Sequence, residues 1–446
     1  MFRYNREAEL TTSVLEKMIH EFQLNVVPKM RNFKDYYDGK QEILNKAYTD
    51  ATKPCNKVVV NICKNIADSY CGYLATPSFI SYSSDNDIAD VMDILRYNDY
   101  QAEDNAFLLD ALVYSAASEL MFNDKEGKTR FRLINPLTCF GIFDDSLTED
   151  LIGFVRFYKE NEWDDNNNTY CFDVYDDVLI KHYKAQGIEG KLEFIGEEPH
   201  YFGQCPANIF MMPEGGSIYE CVLSIQDAYN KLLSAEIDDF EAFCDAYLAL
   251  EGVDADTDDV VSMKENRVLL LPEGAKTYWV TKNANDTQIE NILKRLQESA
   301  YRVAQCPDFS SESFVGGVSS GIAIQYRLTG METRAGKIQA QMLKALQRRI
   351  ELICGIAALK LGEEVFRDIN IDFKRNIPVD ESSIINLVNS LKGSVSDETL
   401  LAQIPFIDDV NAELERLNKQ KQENLALYGF GTGADEEEEE EEEEVA

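Results

Sequence analysis

The sequence predicts an α+β chain, mainly helical, and three observations carry that expectation. Between Glu7 and about Lys125, apolar residues recur at three and four spacing in LTTSVLEKMIHEFQL, VVVNICKNIADSYCGYL and DNAFLLDALVYSAASELMF. Between Arg130 and Met212 the pattern changes to short alternating or aromatic-rich runs, RFRLI, CFGIF, GFVRFY, YCFDVY, VLIKHY and LEFIG, parted by turns such as DDSLTED and DDNNN. From Gly216 onward long helical stripes return. Helices packed on a β-rich segment make an α+β arrangement.

The first stripe runs from Gly216 to Leu250, with Ile218, Val222, Ile225, Tyr229, Leu232, Phe240, Phe243, Tyr247 and Leu250 on one side, broken only by Glu236. It predicts a rod of roughly 50 Å. Acids dominate it, among them Glu236, Asp238, Asp239, Glu241 and Asp245. A compact insert follows, residues 253–285. It holds an acidic turn with Asp254, Asp256, Asp258 and Asp259, a strand-like run NRVLLLP containing Arg267, and a second run KTYWV with Lys276, Tyr278 and Trp279. So short an insert cannot build its own core, so its strands should pair or pack elsewhere. Thr287 and Glu290 form a candidate capping box for a helix that ends at Cys306-Pro307.

Next comes a loop of small residues, Ser310, Ser311, Glu312, Ser313, Phe314, Val315, Gly316, Gly317, Val318, Ser319 and Ser320, without a basic side chain. A third long helix is expected from Gly321 to Lys360, on the stripe Leu328, Met331, Ala335, Ile338, Met342, Leu346, Ile350 and Ile353. Gly330 and Gly336 mark where it should bend. Its charge is reversed, with Arg327, Arg334, Lys337, Lys344, Arg348, Arg349 and Lys360 against Glu332 and Glu351. An acidic and a basic rod are expected to meet, within or between subunits. A short strand from Ile369 to Phe373 and helical segments from Asp380, Asp397 and Asp408 complete the chain, before the acidic tail GFGTGADEEEEEEEEEVA.

Several function classes find no support. Gly316 and Gly321 have Walker A spacing, but Ile322 and Ala323 stand where Lys and Ser or Thr are required, and no strand precedes the loop. His20, His182 and His200 are isolated, and acid pairs such as Asp144-Asp145, Asp176-Asp177 and Asp408-Asp409 read as turns or helix starts. The chain does not read as an enzyme and no cofactor is expected. Its 10 cysteines lack C-x-x-C pairs, and Cys63, Cys221, Cys244 and Cys354 read as buried thiols of a reducing compartment. The start MFRYNREAEL has no apolar signal core, so no membrane partner is expected. The net charge of −37 would repel DNA on average. A sleeve through which DNA must slide, however, is better repulsive than sticky.

The succession of motifs resembles the portal proteins, or head-to-tail connectors, of tailed bacteriophages, of the long-tailed siphophage type. The residues that carry this are DYYDGKQEI at Asp35, NKVVVNICKNIADSYCGYLATPSFISY from Asn56, NPLTCFGIFDDS at Asn135 and IGFVRFY at Ile152. It continues with IQDAYNKLLSAEIDDFEAFCDAYLAL from Ile225, GGVSSGIAIQYRLTGMETRA from Gly316, and the run from Asn376 that begins NIPVDESS. The resemblance implies a homo-oligomeric ring, usually of twelve subunits, at one vertex of the capsid in the virion, made in the host cytoplasm and threaded by double-stranded DNA. It implies a wing (1–216), a stem helix (217–252), a clip (253–285), a second stem helix (286–306), a tunnel loop facing DNA (307–321), a long bent helix and return to the wing (322–378), a crown (379–428) and a disordered acidic tail (429–446). Its implied partners are the large terminase subunit, which is the packaging ATPase and docks at the clip, the major capsid and scaffolding proteins, and a head-completion adaptor. A DNA-processing enzyme would instead need a P-loop or a metal-carboxylate cluster. An intracellular scaffold or filament protein would use the same rods in an open polymer.

Overall fold

The computed structural model describes residues 2–48, 53–75, 79–164, 166–244, 247–251, 274, 276–280, 286–310, 321–356, 365–375, 388–401, 404, 407 and 410–428. They fall into two compact units, Met1–Gly316 with Arg327–Asn376, and Gly317–Tyr326 with Ile377–Ala446.

In the first unit β1 (Phe2–Tyr4) precedes α1 (Thr12–Glu21) and α2 (Val27–Tyr37), which are joined by a π turn, Phe22–Val26. The turn lies just before Pro28, whose missing N–H and ring do not fit a regular i→i−4 ladder. After α3 (Ile62–Leu74), β2 (Ile80–Ser83), α4 (Ala89–Tyr97) and α5 (Tyr100–Tyr114), the chain enters its β-rich part. The helical pattern read through to about Lys125 is corrected here. α5 stops at Ser115, which takes a left-handed φ of 80°, and Ala116–Asn123 is a strand, β3. An apolar run such as AASELMF suits either state, and pairing on both sides decides it. β3 lies between β4 (Thr129–Ile134) and β10 (Ala207–Met211), antiparallel to both.

The six alternating runs all become strands. β5 (Cys139–Asp144), β6 (Leu151–Lys159), β7 (Thr169–Tyr175), β8 (Leu179–Gln186) and β9 (Glu193–Pro199) form an antiparallel meander, with β1 added parallel to β5. One face carries Phe140, Ile142, Val155, Phe157, Phe172, Val174 and Tyr183 onto Leu15, Met18 and Ile19 of α1. Alternation along the strands made this face legible.

The turn between β8 and β9 contains Gly190, where an added Cβ would stand 2.3 Å from the Gln186 carbonyl oxygen. Backbone cannot swing aside as a side chain can. Gly190→Ala is therefore expected to destabilise the chain by about 1–3 kcal/mol in urea unfolding. Gly196→Ala, with nothing within 4 Å of the new methyl, should leave the midpoint unchanged.

β13 (Asn370–Phe373) pairs antiparallel with β2. Of the second unit, α9 (Asp397–Leu401) and α10 (Val410–Tyr428) are described, with Leu400 buried.

Candidate functional site

The rods and their insert form the part on which a functional reading turns. α6 spans Leu223–Cys244, roughly 33 Å at the ordinary rise, shorter than the periodicity predicts. Residues at both ends leave the stripe. Ile218 donates its amide to Leu112 O at 2.9 Å, and the Tyr219 hydroxyl donates to Phe33 O at 2.8 Å, which pins Ser217–Val222 outside the helix. Tyr247–Glu251 is a strand, β11, antiparallel to β12 (Lys276–Val280), with Leu248 opposite Trp279 and Leu250 opposite Thr277. The run KTYWV was read as a strand, whereas its partner was hidden in an apparent helix.

α7 (Asp286–Val303) returns from the hairpin. It opens at Asp286, so Thr287 lies inside the first turn and not at the cap. It ends before Gln305, which is left-handed at φ 55°, and the Cys306 amide closes onto Tyr301 O at 3.0 Å. The Cys221 thiol lies 3.9 Å from Val303 O, joining the start of one rod to the end of the other, so α6 and α7 are antiparallel.

The buried face of α6 is not the apolar stripe. It is Gln226, Asn230, Ser234 and Asp238, four polar side chains one turn apart, each at most 8 % exposed. They accept alternate amides from the segment before α3. Ile62 N donates to Gln226 Oε1 at 2.9 Å, Val60 N to Asn230 Oδ1 at 3.1 Å, Val58 N to Ser234 Oγ at 3.0 Å and Asn56 N to Asp238 Oδ1 at 2.6 Å. Gln226 also donates to Val60 O at 2.6 Å. A segment with every second amide turned one way is extended. Its backbone groups, which have no strand to pair with, are satisfied by a helix instead. Sequence reading took VVVNI as helical, counted Asp238 among the acids of the rod and singled out none of the other three. The signal available was hydrogen-bonding side chains at strict four spacing beside a run of three valines, which favours strand over helix.

This ladder decides where the acidic residues stand. Asp238 is consumed inside the chain, by Asn56 and by the Lys46 ammonium at 2.5 Å. Glu241 accepts from the Asn56 side chain at 2.8 Å and remains exposed, as does Asp239. Glu236 is partly buried and Asp245 lies outside the described residues. Of the insert, Lys276 is exposed on β12 and Tyr278 and Trp279 have their backbones in the same strand. Asp254, Asp256, Asp258, Asp259 and Arg267 lie outside the described residues. Of the glycine-rich loop, Ser310 is described and donates its amide and hydroxyl to Asp308 at 3.0 and 2.6 Å, while residues 311–320 lie outside.

The long helix α8 (Gly321–Cys354) runs unbroken through Gly330 and Gly336, and all eight residues of its expected stripe are buried. Arg327 is exposed, whereas its other three arginines turn inward. Arg334 pairs with Glu214 at 2.9 Å and donates to Ala304 O at 3.0 Å. Arg348 meets Glu351 and the carbonyl of Cys205. Arg349 is clasped by Asp104 and Glu119. These pairs tie α8 to α5, β3 and the loops around β10, none of them joins α8 to α6, and Lys337 and Lys344 are exposed.

Other expectations are met in part. Cys63 and Cys354 are buried, Cys221 is exposed, and the side chain of Cys244 lies outside the described residues. Asp176 accepts the amides of Val178 and Leu179, as a turn carboxylate does. No helix among the described residues is long and apolar enough to cross a membrane.

Comparison with known proteins places this architecture. The chain is 21 % identical over 458 residues to the portal protein of Bacillus phage SPP1, covering 95 % of this chain and 89 % of that one. The family described as phage portal protein, SPP1 Gp6-like, matches residues 15–426. That match runs from α1 through the sheets, the two rods and α8 into α10, and on it the chain belongs to the SPP1 Gp6-like family of phage portal proteins.

Proposed function

We propose that the chain assembles as a closed homo-oligomeric ring, of twelve subunits as is usual for portals, at one vertex of the capsid. Double-stranded DNA passes along its axis on packaging and on ejection. Residues 1–216 form the wing, α6 and α7 the stem, the insert between them the clip, residues 307–321 the tunnel loop, residues 322–378 the long helix, with bends at Gly330 and Gly336, and the return to the wing, residues 379–428 the crown and residues 429–446 an acidic tail. The packaging ATPase is a separate protein that docks at the clip. Major capsid, scaffolding and head-completion proteins engage the same particle, and the chain itself performs no catalysis.

The observation that carries this reading is the family match along the chain. Two features support its assembly as a ring. Phe240, Ile292 and Val303 on the rods are 70, 41 and 48 % exposed, leaving apolar surface for a neighbouring subunit. A two-stranded hairpin such as β11–β12 is marginal alone and gains from strands beyond its own pair. Electron microscopy of the purified full chain is expected to give closed rings of one dominant subunit number. Native mass spectra with only monomers and dimers at every salt concentration would overturn the ring.

A further inference from the structure

Arg349 is 0 % exposed and reaches from α8 between the rings of Phe131 and Phe107, whose centroids lie 4.5 and 5.9 Å from its guanidinium. Glu119 of β3 takes two of its nitrogens, at 2.9 and 2.7 Å, and is also reached by the Asn208 amide at 3.4 Å. Asp104 of α5 takes the remaining nitrogen through Oδ1. The other oxygen, Asp104 Oδ2, is buried and has no hydrogen-bond partner, and the buried hydroxyl of Tyr82 on β2 has none either. Two buried carboxylates thus share one cation.

We propose that this cluster is a proton-binding site, with the proton on Asp104, and that its release as pH rises weakens the attachment of α8 to α5 and β3. Glu119 is saturated by the guanidinium fork and Asn208, whereas Asp104 has a free oxygen on which a proton can sit. The other groups that act on it favour the neutral acid or are indifferent. Glu103 on its own helix and Glu119 of β3 disfavour its charged form, the unpartnered Tyr82 hydroxyl of β2 lies in the same cluster with the Tyr100 ring against it, and the Asn208 amide of β10 is turned to Glu119. Burial pushes the Asp104 carboxyl up to about 6, Arg349 pulls against it, and Glu119 and Glu103 push the same way as burial.

The sign follows from the raised value. Between the ordinary 3.8 and about 6 the folded chain holds a proton that the unfolded chain releases. The contribution to stability is therefore complete below pH 4 and is lost as pH rises through 6. It amounts to about a hundredfold in the folding equilibrium constant.

Urea unfolding of the full chain between pH 4 and pH 7 tests this, comparing wild type with Asp104→Asn, in which the amide mimics the neutral acid. The ratio of the two folding constants is expected to fall about a hundredfold over that range. A ratio constant to within about threefold would overturn the site. Asp110, which burial also pushes up to about 6, serves as the control: Asp110→Asn must leave the Asp104-dependent fall in place. Should Asp104→Asn fail to fold, infrared spectra of Asp110→Asn decide. A protonated-carboxyl band that disappears near pH 6 supports the site, and the lack of any such band above pH 5 refutes it.

Discussion

Replacing Arg349 by leucine is expected to cost about 3–5 kcal/mol of folding stability. The guanidinium is the cation that Asp104 and Glu119 face at zero exposure, and its removal leaves both carboxylates in a space that water does not reach. α8 meets two consecutive elements more than 200 residues earlier, α5 and β3, on this residue, so the loss should appear as weaker docking of the whole C-terminal half of α8. Urea midpoints at neutral pH measure it. The triple variant with leucine at 104, 119 and 349 should recover most of the loss, because an apolar set of similar volume carries no desolvation penalty. A single variant that loses less than about 1 kcal/mol would show that the charges escape to solvent, and the packing described here would be wrong.

The second large effect is expected at Asn230. Asn230→Ala removes the acceptor of the Val60 amide and the donor to the buried Gln41 side chain. Each orphaned group costs about 1–3 kcal/mol, so the variant should lose about 2–6 kcal/mol. Ser234→Ala removes only the acceptor of Val58 and should cost about half as much. Hydrogen exchange with mass spectrometry on peptides covering residues 54–62 is the direct readout. Faster exchange there in Asn230→Ala, with the β5–β8 meander unchanged, is the expected pattern. Equal protection in both proteins would mean that the segment is held by something other than α6.

Where one physical signal dominated, the fold was legible in the sequence. Along β5, β6, β7 and β8 residues two apart (Phe140 and Ile142, Val155 and Phe157, Phe172 and Val174, Tyr183 and Ala185) enter one core, and the stripe of α8 repeats at helical spacing over eight buried residues. Reading failed where pairing partners outvote local pattern. β3 lay inside an amphipathic run and became a strand because β4 and β10 flank it, and Tyr247–Glu251 left its helix to pair with β12. The buried face of α6 was missed because the reading followed the apolar stripe, whereas the partner of Gln226, Asn230, Ser234 and Asp238 is the backbone of a segment more than 160 residues away in the chain. Arg349 offered no sequence signal at all, since a buried arginine and a surface arginine read alike until their carboxylates are found. The roles proposed for the insert and the glycine-rich loop rest on family resemblance, because composition there says little beyond turn, acid and small side chain.

The ladder on α6 also works as a vernier. One rung on the helix is four residues, about 6.0 Å, while one rung on the extended segment is two residues, about 6.7 Å. The two scales drift by about 0.7 Å per rung, or about 2 Å over the three intervals between Gln226 and Asp238. Side chains of unequal reach take up the drift, with the short serine at one inner rung and the long glutamine at one end. Such a scale reads true at a single alignment. Moving the segment by one rung would bring each amide to a side chain of the wrong length, so the position of α3 along the rod is gauged to one setting by four residues that, taken singly, look interchangeable.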